Sequence, residues 1–136
     1  AKENGAFVHS VDISEASVAK AQEEVTRQHL DDFVQLHLSD SLVFLENFDA
    51  AVDLLYLDSY DYSNDLVVHR KSQEHHLAEF KNIEGKLHDK SIVLIDDCDL
   101  PNGGKGKLVI DYMLKNGWKI ITEAYQVLLV REDMVL

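Results

Sequence analysis

The sequence predicts a three-layer α/β fold, a mostly parallel sheet with helices on both faces and an antiparallel hairpin at its end. Three observations carry this. Short runs rich in β-branched residues alternate with segments of helical periodicity. The run Ser91, Ile92, Val93, Leu94, Ile95 has no polar alternation, as expected of a strand covered on both faces. The last two strand-like runs, 118–125 and 127–131, lie close enough together to form a hairpin.

Taken in order, Phe7 to Asp12 reads as a strand ending at an acid. Ser14 can cap a helix carrying Val18, Ala21 or Gln22, and Val25 through about residue 28. Val34, Leu36 and Leu38 alternate with Gln35 and His37, a strand with one face more buried. Ser39, Asp40 and Ser41 offer caps for a short helix with Leu42, Leu45 and Phe48. Residues 52–57 form the next strand, followed by the polar loop Asp58, Ser59, Tyr60, Asp61, Tyr62. A helix from Asn64 or Leu66 to Leu87 places Leu77, Phe80, Ile83 or Glu84, and Leu87 on one side. The strand 91–95 stops at Asp96 and Asp97, and a loop with Pro101, Gly103, Gly104 and Gly106 leads to a helix through Met113 and Leu114. Gly117 stands where a left-handed cap is expected. Strand–helix alternation implies right-handed parallel crossovers.

At 136 residues the chain is long enough for one domain and too short for two, so residues 1–136 are expected to be a single unit. Apolar residues make up 46% and charged residues 28%, the balance of a water-soluble protein. No apolar run approaches the ~20 residues of a membrane span, and no basic-then-apolar leader opens the chain. Cys98 is the only cysteine, which excludes an internal disulfide and a thiolate zinc site and makes the cytoplasm the default compartment. A net charge of −12 opposes nucleic acid and anionic membranes, whose binding rests on Lys and Arg, and favours a small-molecule substrate.

In open parallel sheets, ligands bind outside the carboxyl ends of the strands. Asp12, Asp58, and Asp96 with Asp97 end three expected strands, and Asp40 follows the fourth. Crowded carboxylates repel one another, so such a rim suggests hydroxyls, amines, a sulfonium or a divalent metal as its ligand. Asp12 stands where an acid accepts both ribose hydroxyls of a nucleotide-type cofactor, or else caps the following helix. Asp40 and Ser41 either border an adenine or form a plain N-cap pair. Asp58, Asp96 and Asp97 fit an oxygen-only Mg²⁺ or Ca²⁺ site, or else one of the pair caps a turn. Of His75 and His76, only one can face the Asp58 loop as a general base; a solvated histidine is the competing reading. Gly103, Gly104, Lys105, Gly106 and Lys107 lack the spacing of a phosphate-binding P-loop and read as a mobile loop beside the site.

The ordered set FVHSVDIS, SDS, LLYLDSYDY, KLHDKSIVLIDD and GWKIITEAYQVLLVRE resembles the class I S-adenosylmethionine-dependent methyltransferases, which are Rossmann-like. Asp58 after the strand at 52–57 and the pair Asp96 and Asp97 after the strand at 91–95 resemble the small-molecule O-methyltransferases that use a divalent cation. The resemblance implies S-adenosylmethionine as cofactor, with Asp12 on its ribose and Asp40 and Ser41 beside its adenine. It implies Mg²⁺ or another divalent cation at Asp58, Asp96 and Asp97, and chemistry at Asp58 and His76.

Such domains begin with a strand and a glycine-rich loop that cradles the methionine part of the cofactor. Here residues 1–5 already resemble the exit from the first helix, so that strand and loop are expected to be lacking. A partial domain, reduced activity and a gap in the sheet between the strands at Phe7 and Val52 follow. Exposed strand edges invite self-association. A nicotinamide-dependent oxidoreductase fragment is the second reading, since Asp12 suits both cofactors; a non-catalytic Rossmann-like interaction module is the third.

Overall fold

A computed structural model describes Glu3 and residues 5–136. The helix exit expected over residues 1–5 therefore lies largely outside the described residues. The chain divides into two compact units, Ala1–Asn47 and Phe48–Leu136.

The first unit contains β1 (Val8–Asp12), α1 (Glu15–Arg27), β2 (Val34–Leu38) and α2 (Ser41–Asn47). β1 and β2 pair in parallel, Val8 opposite Val34 and Asp12 opposite Leu38. Ser14 caps α1 as expected, its hydroxyl accepting from the Ser17 N–H at 3.2 Å. The core here is thin: among the described residues, Val25 is the unit's buried apolar side chain, while Val8, Ile13, Leu38 and Val43 are exposed.

The second unit contains β3 (Val52–Leu57), α3 (Leu66–Ile83), β4 (Leu87–Ile95), α4 (Lys107–Lys115), β5 (Trp118–Glu123) and β6 (Val127–Arg131). Its sheet runs β3-β4-β6-β5. β3 and β4 are parallel, whereas β6 is antiparallel to both β4 and β5. The hairpin thus joins the sheet through its second strand. Leu87 does not close the α3 stripe. A 3-10 turn over Glu84–Lys86 intervenes, and Leu87 opens β4 opposite Val52. The register then shifts, and the Ser91 hydroxyl bridges the irregularity, donating to the Val52 carbonyl at 2.6 Å and accepting from the His88 N–H at 2.8 Å.

The core of this unit is dense. Phe80 and Ile83 of α3, Val109 and Met113 of α4, and Val93, Ile95 and Leu129 of the sheet are fully buried. The Phe80 ring meets Trp118 edge-on, at 5.9 Å and 79°. Gly117 follows α4 at φ +80°, the left-handed stop expected of it.

Among the described residues the strands form two separate sheets, β1-β2 and β3-β4-β6-β5. Among the described residues no helix is long and apolar enough to cross a membrane.

Candidate active site

Each acid singled out in the sequence lies at or just beyond the carboxyl end of a strand: Asp12 closes β1, Asp40 follows β2, Asp58 follows β3, and Asp96 with Asp97 follows β4. In the first unit, Asp12 Oδ1 accepts the Ser14 N–H at 2.7 Å. One carboxylate oxygen thus holds the start of α1, and the side chain is exposed. Asp40 Oδ1 accepts the Leu42 N–H at 2.8 Å, so the capping role exists there, with Ser41 opening α2.

In the second unit the acids gather around a residue the sequence reading passed over. Lys105, only 5% exposed, reaches Asp58 at 3.1 Å and Asp97 at 2.7 Å. Burial disfavours its charge, but hydrogen bonds to Asp97 and Asp58 outweigh this and hold the ammonium pKa above its ordinary value. Asp97 shows the reverse balance. Burial raises its pKa, and the Lys105 and Tyr125 hydrogen bonds more than offset it, leaving the carboxyl below its usual range. Asp97 adopts φ +52°, and its carbonyl accepts the Lys105 N–H at 3.1 Å.

Asp96 is saturated differently. The Tyr56 hydroxyl donates to it, Gln126 Nε2 donates at 3.0 Å, and the Asp97 N–H donates at 2.8 Å. Burial again works against the charge, yet these donors hold the carboxyl below its ordinary pKa. Tyr56 is displaced well upward in return, first by the Asp96 hydrogen bond.

The three acids expected to hold a divalent cation all have protein partners in this structure. An ammonium lies against Asp58 and Asp97, and Asp96 is occupied by three protein donors. Among the described residues no set of three His, Cys, Asp or Glu side chains is arranged to hold a metal. The glycine-rich loop is likewise packed rather than solvated, with Gly104, Lys105 and Gly106 all buried. Cys98 is half-buried, and burial pushes its thiol up to about 11, which suits an inert residue.

One face of α3 supports this loop. Gln73 Nε2 donates to the Asn102 and Gly104 carbonyls at 3.0 and 3.1 Å. Asn102 also meets His69 at 2.9 Å, and His69 stacks on Tyr62 at 4.1 Å. The Ser59 hydroxyl donates to Glu79 at 2.5 Å, and His75 lies 3.2 Å from Glu79 with its ring against Tyr60. Of His75 and His76, His75 is thus the one that touches the loop after β3, as His69 does through Tyr62. His76 is fully buried; its Nδ1 donates to the Ser72 carbonyl at 2.7 Å, and its Nε2 has no hydrogen-bond partner among the described residues.

Burial lowers the His76 pKa below its ordinary value of 6.5, against the opposing pull of the Ser72 carbonyl and Glu79; Lys105 and His75 push in the same direction as burial. A histidine kept neutral when folded binds fewer protons than the unfolded chain just below pH 6.5. Stability is then complete above that value and declines as pH falls toward the folded pKa. Urea midpoints are expected to drop between about pH 7.5 and 5.5, and less steeply in His76→Gln. Equal slopes in the two proteins would refute this.

Comparison with known proteins places the chain in context. A family profile for methyltransferase domains matches residues 1–98. No curated protein matches in sequence. Among solved structures, an S-adenosylhomocysteine-bound methyltransferase of Podospora anserina superposes with a TM-score of 0.73 at 13% identity, over 97% of this chain and 63% of that one. An rRNA methylase of Streptococcus thermophilus gives 0.63 at 12%, over 92% of this chain and 73% of that one. A candidate caffeoyl-CoA O-methyltransferase of Staphylococcus aureus gives 0.63 at 14%, over 92% and 64%. At such identities the likeness is one of fold, and the chain spans only part of each protein.

Proposed function

The chain belongs to the methyltransferase-domain family, and from that premise we propose that it transfers a methyl group from S-adenosylmethionine to an oxygen of a small molecule. The observation that carries this is a strand-end carboxylate, Asp58, partly exposed and held at 3.1 Å by a buried ammonium. Such a carboxylate is fixed in place yet open to an acceptor hydroxyl.

S-adenosylmethionine supplies an electrophilic methyl: the carbon–sulfur bond breaks as the carbon–oxygen bond forms, and the electron pair stays on sulfur. The residues of the chain do the remainder. Asp12, with one oxygen left for a ribose hydroxyl, holds the cofactor in this reading, and Asp40 with Ser41 borders its adenine. Asp58 accepts the proton leaving the acceptor hydroxyl. His76, sealed from solvent, acts by position behind Lys105 and Glu79 rather than by touching substrate. Residues 1–136 are read here as one methyltransferase-like domain, in which the edge of β3 left unpaired among the described residues is covered by a further strand. Pairing between two copies through such edges is the competing way to cover them; elution as a monomer at every concentration would dismiss it.

The test is transfer of labelled methyl from S-adenosylmethionine to catechol-type hydroxyls and, in parallel, to ribosomal RNA. Label in the small molecule supports the proposal. Label in RNA alone would sink it, although a net charge of −12 argues against that acceptor.

A further inference from the structure

The same carboxylates that suggest a metal site already hold a cation. Lys105 Nζ lies 2.7 Å from Asp97 and 3.1 Å from Asp58. The placement is built into the fold and does not depend on a surface side chain that happens to fall there. Gly104 precedes Lys105 in a backbone conformation reserved for glycine, φ +62° and ψ −165°. The Lys105 N–H is pinned to the Asp97 carbonyl at 3.1 Å. Gln73, buried on α3, holds the Gly104 carbonyl from the other side. The side chain then runs through the interior, 6% exposed, to reach both acids.

A divalent ion at Asp58 and Asp97 would have to displace this buried ammonium from both of its acid partners. To recruit Asp96 as a third ligand it would also have to compete with the Tyr56, Gln126 and Asp97 donors. Two like charges cannot share the site, since cations a few ångströms apart repel by several kcal/mol at the dielectric of a protein surface.

We propose that Lys105 is the resident cation of this site, fixing Asp58 and Asp97 where related enzymes of the resembled branch use a divalent metal, so that substrate binding and methyl transfer here proceed without one. The ammonium neutralises the paired acids and sets the direction of Asp58. It is a positioning residue and leaves the bond changes of the methyl transfer as described. The inference rests on the methyltransferase reading for its function, but its metal-binding content stands or falls separately.

The experiment is titration of the full chain with Mn²⁺, read by the loss of free-ion electron paramagnetic resonance signal. The wild type is expected to bind no more Mn²⁺ than Asp97→Asn does. Lys105→Ala, which leaves the two acids facing an empty position, is expected to gain a site about tenfold tighter or more, a gain that Asp97→Asn then removes. A wild-type Mn²⁺ site abolished by Asp97→Asn would overturn the proposal. So would a folded Lys105→Ala chain that gains no site. If Lys105→Ala does not fold by circular dichroism, the wild-type comparison with Asp97→Asn still decides. S-adenosylhomocysteine binding in the same wild-type sample, with and without a chelator, separates the two readings. Binding indifferent to chelator agrees with a resident ammonium, chelator-sensitive binding contradicts it, and absence of cofactor binding contradicts only the methyltransferase assignment.

Discussion

Gly104→Ala is expected to lower stability by about 3 kcal/mol, most of it from backbone that no other residue adopts without strain. A Cβ at this position would stand 2.1 Å from the Asp97 carbonyl oxygen and 2.7 Å from the Cys98 backbone. Neither neighbour is a flexible side chain. The loop would have to move, and with it the 3.1 Å bond from the Lys105 N–H to the Asp97 carbonyl. Gln73 would lose its carbonyl partner at Gly104. The change therefore reaches the acid cluster as well as the folding equilibrium. Urea denaturation reads the first effect; a change within about 0.5 kcal/mol of wild type would mean that the loop is not packed as described.

Asp58→Asn is expected to reduce methyl transfer by about 100-fold or more, the scale on which a positioned proton acceptor contributes. The amide has nearly the shape of the carboxylate and can still accept from Lys105 Nζ. Folding should survive, because Asp58 is 44% exposed in its side chain and pairs with a lysine that Asp97 also holds. Loss of turnover with an unchanged urea midpoint supports a proton-accepting role. Equal turnover in both proteins would remove Asp58 from the chemistry and leave it a structural partner of Lys105.

Much of the fold is written locally. β1 and β3 are short β-branched or leucine-rich runs, Ser14 and Asp40 carry side chains suited to capping, and Gly117 supplies the left-handed stop; all can be read from neighbours in the chain. Leu87 could not be so read. Its spacing from Ile83 suits a helix, and only the 3-10 turn containing Gly85, together with pairing to Val52, makes it the start of a strand. The polar face of α3 was hidden for a related reason. His69, Ser72, Gln73 and His76 recur at helical spacing and are buried, but a search for apolar periodicity passes over them. The partners of Ser72 and Gln73, the carbonyls of Tyr60, Asn102 and Gly104, lie far enough away in sequence that only the folded chain pairs them.

The acid positions were legible because each follows a strand; their occupant was not. Lys105 sits in a run of glycines that looks solvated, in a chain with few basic residues. The available signal was electrostatic: three acids at the ends of two adjacent strands call for a counter-cation, and Lys105 and Lys107 are the lysines in the loop that leaves the second of them. Tyr56, Tyr125 and Gln126 carried no such signal, since their reach to Asp96 and Asp97 depends on strand register and on the turn between β5 and β6.

The central claim is that this chain is built around S-adenosylmethionine. Calorimetric titration with S-adenosylhomocysteine, run beside Asp12→Ala and beside NAD, tests it most directly. Saturable binding of S-adenosylhomocysteine is expected, weakened about tenfold or more by Asp12→Ala as a ribose hydrogen bond to a charged oxygen is lost, with no comparable heat from NAD. Binding of NAD in its place, or S-adenosylhomocysteine binding indifferent to Asp12, would contradict it.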